Sequence, residues 1–231
     1  MIIAYGAYGI PTSLSTTRWK PYLDDGWIIA FACVRGGGDV NKRWANEART
    51  YNKENSCEDL ENCIRFLQHK YKISSKQTCI YGRSAGGYLV GATVSRNPEG
   101  KLFKMVYTEV PYVDVLQTTT NPTLPLTVLE YDEFGNPAEG IFQFKKILEL
   151  SPVDSLDYTK SPDINIIIRT SQNDSQVYTY ESYKWLYMLR GNNKKDFRKI
   201  LYNTQQQGHF VNGKGSYENY SEDFFLLNSC R

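Results

Sequence analysis

The sequence predicts an α/β fold, a mainly parallel sheet flanked by helices, and three observations predict it. Short apolar runs alternate with helix-patterned segments along most of the 231 residues, the order that strand–helix–strand units produce. The longest strand-like run is continuously apolar rather than alternating, as in a strand covered on both faces. One short run passes through a glycine directly into a helix of small residues. The composition agrees: 41% hydrophobic and 23% charged residues describe a chain that can bury a core and exclude a disordered one. The length fits one unit, so residues 1–231 are expected to form a single α/β domain.

Each element has its own signal. Residues 1–4 read as the end of a strand. Residues 27–34 are an uninterrupted apolar run of strand length that stops at Arg35-Gly36-Gly37-Gly38. Burial on both faces is expected for it. Residues 57–70 read as a helix, with Leu60, Ile64 and Leu67 at helical spacing. Glu58, Asp59 and Glu61 stand in its first turns, where carboxylates favour the helix dipole. Residues 78–81 form a short strand running into Gly82, and residues 85–96 the small-residue helix. Residues 104–109 are another strand. Residues 117–140 are polar and proline-rich, a long excursion over the face that carries the chemistry. Residues 164–169 read as a strand, 182–190 as a helix, 197–202 as the last strand, and 222–227 begin a closing helix. There is no internal repeat, low-complexity block or interdomain linker.

Several function classes are excluded at this level. A net charge of +2 argues for neither nucleic acid nor an anionic membrane, and no apolar run approaches a membrane span. Five cysteines, at positions 33, 57, 63, 79 and 230, form no Cys-x-x-Cys pair, and two histidines are too few for a Cys/His zinc site. No metal or other cofactor is expected. Cys33 and Cys79 read as buried strand residues in a reducing compartment. The first five residues carry no basic segment or cleavage pattern, so the cytoplasm is the expected location.

The chemistry begins at Gly82-Arg83-Ser84-Ala85-Gly86, a Gly-x-Ser-x-Gly sequence between a strand and a small-residue helix. That context is what a nucleophile elbow needs. A sharp turn lifts Ser84 above the sheet edge at a helix N-terminus, and the amide of Ala85 becomes an oxyanion donor. Side chains at 82 or 86 would block the close packing of strand on helix. This arrangement predicts the α/β-hydrolase fold. Of the two histidines, His69 falls at the end of a helix, where the dipole alone explains it. His209 follows the last strand, next to Gly208, where this fold places its base. The acid belongs between serine and histidine in chain order. Asp174 follows the strand at 164–169 across a short polar loop. Asp154, Asp157 and Asp163 precede that strand and fall at its wrong end. The candidate triad is therefore Ser84, Asp174 and His209.

With these stretches in view, the chain resembles the catalytic domain of the prolyl oligopeptidase family of serine peptidases, most closely the oligopeptidase B branch. The resemblance rests on Tyr5-Gly6-Ala7-Tyr8-Gly9, Val34-Arg35-Gly36-Gly37-Gly38-Asp39, Gly82 through Gly87, Val110-Pro111-Tyr112-Val113-Asp114, Phe134-Gly135-Asn136-Pro137, Asn173-Asp174-Ser175-Gln176-Val177 and Gly208-His209. It implies that the Tyr5 hydroxyl is the second oxyanion donor, beside the Ala85 amide. It implies that Glu130 receives a basic P1 side chain, with Asp132 as a nearby second acid. Gln176 stands where the prolyl-specific branch typically has arginine. Ile10 to Ser15 carries serines where oligopeptidase B often has acids, so the resemblance does not extend to selectivity for paired basic residues.

The chain begins inside the strand that leads to Tyr5. The resemblance thus implies an N-terminally truncated α/β-hydrolase domain, without the earlier strands and the seven-bladed β-propeller of family members. The implied activity is a serine-type oligopeptidase cutting short peptides after Arg or Lys through an acyl-enzyme. The alternatives are an esterase or thioesterase with the same triad, and a non-catalytic binding module. Implied partners are short peptides, with the missing propeller segment or a strand-donating partner beside them, and neither nucleic acid nor membrane.

Overall fold

Alternation along the strands sorts side chains onto two faces, and both faces are covered. In the computed structural model, which describes residues 1–193, 195–204, 208–210, 217, 219–221, 223 and 224, six strands form one sheet. They are β1 (Ile2–Ala4), β2 (Ala30–Ala32), β3 (Cys79–Arg83), β4 (Met105–Glu109), β5 (Asn165–Ser171) and β6 (Lys199–Thr204). Their order is β2-β1-β3-β4-β5-β6, and every neighbouring pair is parallel. The helices are α1 (Lys20–Asp24), α2 (Lys42–Asn46), α3 (Glu54–Tyr71), α4 (Ala85–Arg96), α5 (Val115–Thr119), α6 (Thr127–Phe134), α7 (Ile141–Leu150) and α8 (Thr179–Arg190).

On one face Ile2, Ala4, Ile80, Val106, Ile166 and Ile168 pack with Leu60 and Ile64 of α3, Leu89 and Val90 of α4, and Trp185 and Leu189 of α8. The alternate residues Ile3, Cys79, Tyr81, Met105, Tyr107 and Ile167 face the other way, against Trp19 and Tyr22. This period of two places each strand's side chains into two separate cores. Fully burying one such Ile or Leu contributes roughly 1.5–3 kcal/mol, so both faces matter to stability.

The mainly parallel sheet and its flanking helices are as expected, with three differences. The run at 27–34 is not a strand buried on both faces: β2 spans three residues at the sheet edge, paired only with β1. Ile28 is 43% exposed there, and Cys33 is exposed while Cys79 is buried. An apolar run signals burial only where a second strand and two layers cover it. The last strand starts two residues later than expected, because Asp196 first forms a turn, accepting the Arg198 amide at 3.1 Å, and Phe197 is left 74% exposed. The excursion at 117–140 contains α6 and much of α5, and α7 follows it unforeseen. Of the closing segment, residues 217, 219–221, 223 and 224 are helical; positions 222 and 225–227 of the expected helix lie outside the described residues. Among the described residues no helix is long and apolar enough to cross a membrane.

The second face also buries charge. Glu109, at the end of β4, lies 1% exposed. It accepts from Arg18 Nη1 at 3.0 Å, Tyr81 at 2.8 Å and Tyr107 at 2.9 Å, with Arg169 of β5 also within ion-pair distance. Asp223 joins through Tyr22 at 2.6 Å and Tyr107 at 2.8 Å. Burial alone would raise the Glu109 pKa, but the Arg18 charge and hydrogen bonds, with Arg169 and Tyr81, outweigh it. They hold the carboxyl at about 2, against an ordinary 4.5. The folded state therefore binds fewer protons than the unfolded chain between those values, and stability rises with pH there.

Acidification from pH 4.5 to 2 is accordingly expected to remove on the order of 3 kcal/mol through this one group. Urea midpoints followed across that range would show it, and Glu109→Gln should flatten the dependence. An unchanged slope in the variant would place the acid sensitivity elsewhere.

Candidate active site

Parallel strands all end on the same edge, and the segments leaving that edge carry Tyr5, Ser84, Asp174 and His209. Tyr5 follows β1, Ser84 follows β3, Pro111 follows β4, Asp174 follows β5 and His209 follows β6. Register fixes their relative heights: Ala4 pairs with Gly82, Arg83 with Glu109, and Glu109 with Arg169.

Ser84 sits at φ 53°, ψ −122°, a conformation that costs a non-glycine residue on the order of 1–3 kcal/mol. Its surroundings impose that geometry. The Ser84 amide donates to the Glu109 carbonyl at 3.0 Å, and the Ser84 carbonyl accepts from Tyr112 at 3.1 Å and Gly87 at 2.8 Å. A Cβ on Gly82 would stand 2.0 Å from the Gly86 carbonyl oxygen, and one on Gly86 would stand 2.6 Å from the carbonyl oxygen of Ala4. The two glycines are thus required by contact. Ala85 opens α4, and the first amides of a helix have no intrahelical acceptor.

Asp174 and His209 meet. Asp174 Oδ2 lies 2.8 Å from His209 Nδ1, while Oδ1 accepts the backbone amides of Gln176 at 2.8 Å and Val177 at 2.9 Å. Burial pushes the carboxyl up, yet the His209 hydrogen bond and those two amides outweigh it and leave the pKa below its ordinary value. The carboxylate therefore stays charged and fixes which ring nitrogen carries a proton. His69 lies exposed on α3. The competing aspartates are engaged elsewhere: Asp154 with Ser151, Asp157 with Thr159, and Asp163 with Lys104 and Arg198.

Ser84, His209, Tyr5, Tyr8 and Glu130 line one cavity of about 430 Å³, closed on one side by residues 124–127 of the excursion. The Tyr5 hydroxyl is pushed up to about 12 by burial, then by Glu130 and Glu133, with Arg83 opposing; it remains a protonated donor at neutral pH. The Glu130 carboxyl is raised by burial, against the hydrogen bond from Tyr8 at 2.7 Å. Asp132 is exposed and does not line the cavity. One residue on along α6, Glu133 is instead buried, paired with the buried Lys53, and lies 3.2 Å from Arg49. Helical geometry explains the split, since successive residues of a helix are rotated by about 100° and point to different sides. Among the described residues no group of three or more His, Cys, Asp or Glu side chains is placed to hold a metal.

The model of the prolyl oligopeptidase family matches residues 13–227. The chain belongs to that family. It is 35% identical over 223 residues to dipeptidyl aminopeptidase BI of Pseudoxanthomonas mexicana, covering 95% of this chain and 30% of that one. Oligopeptidase B from Leishmania major superposes with a TM-score of 0.86 at 30% identity, over 100% of this chain and 32% of that chain. Oligopeptidase B from Trypanosoma brucei, solved with covalently bound antipain, gives 0.87 at 31% identity with the same coverage. The chain thus spans about a third of the length of these relatives. The parallel sheet with its flanking helices is the α/β-hydrolase catalytic domain of the family.

Three contributors carried no role in the sequence. Tyr8, held at φ 59°, orients Glu130. It stands within the Tyr5–Gly9 motif, so its position was visible but its partner was not. Arg83 reaches the His209 loop. Lys53 donates to the Gly6 carbonyl at 3.2 Å and pairs with Glu133, joining the Tyr5 loop to α6. In sequence it looks like any lysine at a helix start.

Because Lys53 and Glu133 are 3% and 2% exposed, removing Lys53 leaves the buried Glu133 carboxylate to the partly exposed Arg49. Lys53→Met should cost about 3–5 kcal/mol, and the double change Lys53→Met with Glu133→Leu should recover most of that. Urea denaturation at unchanged slope checks both.

Proposed function

We propose that this chain is a serine peptidase domain that cleaves peptides after basic residues through Ser84, His209 and Asp174. The observation that carries the proposal is the buried 2.8 Å contact between Asp174 and His209 beside a cavity that also holds Ser84, Tyr5 and Glu130. His209 takes the Ser84 proton as Oγ attacks the substrate carbonyl carbon. The resulting oxyanion is received by the Ala85 amide and the Tyr5 hydroxyl. Collapse breaks the C–N bond, and the amine leaves with the proton from His209. Water, deprotonated by His209, then releases the acid and restores Ser84. The covalently bound antipain in the T. brucei relative agrees with a covalent route.

Glu130 supplies the selectivity in this proposal. Its carboxylate is desolvated, so an incoming ammonium or guanidinium relieves an existing cost, whereas an apolar side chain leaves it unrelieved. The same observation favours peptides with basic side chains over simple esters.

Fluorophosphonate labelling of the purified chain, with Ser84→Ala as the control, tests the core of this assignment. Labelling confined to the parent chain is expected; a folded parent that stays unlabelled overturns it. For selectivity, Glu130→Gln should lower kcat/KM on Arg and Lys amide substrates by about 10–100-fold, the value of a hydrogen bond to a charged group. Simple ester hydrolysis should fall far less. Equal losses on both substrates would remove Glu130 from the specificity role.

A further inference from the structure

An elbow needs small residues at both ends of Gly-x-Ser-x-Gly and makes no demand on the residue before the serine. Here that residue is an arginine, and its side chain does something the elbow does not require. Arg83 Nη2 donates to the main-chain carbonyl of His209, and its guanidinium carbon lies 5.3 Å from the centre of the Phe210 ring. Phe210 is 63% exposed, with the Arg83 guanidinium over its ring and the His209 ring edge-on to it at 5.3 Å. Among the described residues no carboxylate pairs with Arg83. The planar fork instead serves the loop, one edge on a carbonyl and one face on an aromatic ring.

The His209 loop needs such an anchor. Asp174 holds only the ring, through Nδ1, and Gly208 gives the backbone before it extra freedom. A ring hydrogen-bonded at one nitrogen swings unless the main chain that carries it is also held. We propose that Arg83 is a positioning residue that fixes the main chain carrying His209 and so holds the imidazole in register with Ser84. Because Arg83 ends β3 and Ser84 follows it directly, one backbone segment sets both the nucleophile and the loop of the base. The inference rests on His209 being the base of the proposed reaction, and its test includes a readout that needs no activity.

The chain has two histidines, so imidazole nitrogen labelling of the full 231-residue protein gives two ring systems, and His69→Gln assigns them. The Nδ1 proton of His209, facing Asp174, should exchange slowly with water in the parent. In Arg83→Met that exchange should speed up at least tenfold. The fluorophosphonate labelling rate should drop by about 10–100-fold, as a displaced catalytic group does. Circular dichroism should be unchanged, and kcat should fall with KM nearly constant. Arg83→Lys, keeping the charge without the fork, should be intermediate. If Arg83→Met does not fold, Arg83→Gln, which keeps a polar side chain but cannot place a guanidinium on both the carbonyl and the ring, should shift exchange in the same direction. A His209 exchange rate equal to the parent's in Arg83→Met, or in both other variants where Arg83→Met is unfolded, overturns the proposal. So does a parent with no protected Nδ1 proton. A parent that is not labelled, yet shows the expected exchange pattern, sinks the peptidase assignment and leaves the positioning role intact.

Discussion

Where β3 meets α4, the carbonyl oxygen of Gly86 occupies the space a Cβ on Gly82 would need. This close approach lets the chain reverse from strand to helix within one residue and forces Ser84 into a left-handed conformation at φ 53°. The rest of the cavity is arranged around that point. Gly87 packs so closely on Pro111 that a Cβ there would come within 2.5 Å, which fixes the loop after β4. That loop returns the Tyr112 amide to the Ser84 carbonyl. A larger residue at 82 or 86 would move the helix, the serine and the neighbouring loop together, because protein interiors transmit displacement rather than absorb it.

Strain is concentrated around the same cavity. Of the non-glycine residues with positive φ, Tyr8, Ser84 and Val110 all follow strand ends β1, β3 and β4. Each carries a backbone cost of on the order of 1–3 kcal/mol, and Val110 is β-branched, where such a conformation is least tolerated. What offsets the cost lies directly beneath. Lys53 holds the Gly6 carbonyl next to Tyr8, the Glu109 carbonyl accepts the Ser84 amide, and the Arg169 carbonyl accepts the Val110 amide at 2.7 Å. Glu109 and Arg169 are also the paired charges of the buried network on the second face. The backbone carbonyls that hold the strained turns after β3 and β4 and the charges that stabilise the sheet thus belong to the same residues.

How far the sequence discloses this depends on whether a feature is local. The elbow is local: strand, glycines, serine and helix are consecutive, and α4 begins and ends at the expected residues. The Asp174–His209 pairing is legible through fold order and scarcity, since two histidines compete. Features decided across the fold were not readable. The apolar run at 27–34 carries no mark of being at the sheet edge, and Cys33 no mark of being exposed. Asp132 and Glu133 are adjacent acids with the same chemistry, and only the direction in which α6 presents them makes one solvated and the other buried on Lys53. Arg83 is a free choice within the elbow pattern until the His209 loop, 126 residues later, is brought against it.

The cavity is charged asymmetrically, and the asymmetry bears on what it admits. Arg83 is engaged with the His209 carbonyl and the Phe210 ring. Glu130, lining the same cavity, has one oxygen held by Tyr8. Burial, then Glu133, raises its pKa against the Tyr8 hydrogen bond and the charge of Lys53, which is itself paired with Glu133. A desolvated carboxylate whose local cation is already paired is under-compensated, and the proposed function assigns the missing positive charge to the substrate. The deep pairing of Lys53 with Glu133 therefore has a consequence in the cavity: Lys53 donates to Glu133 and to the Gly6 carbonyl rather than to Glu130, which in the proposed function leaves that carboxylate to the basic side chain of a substrate.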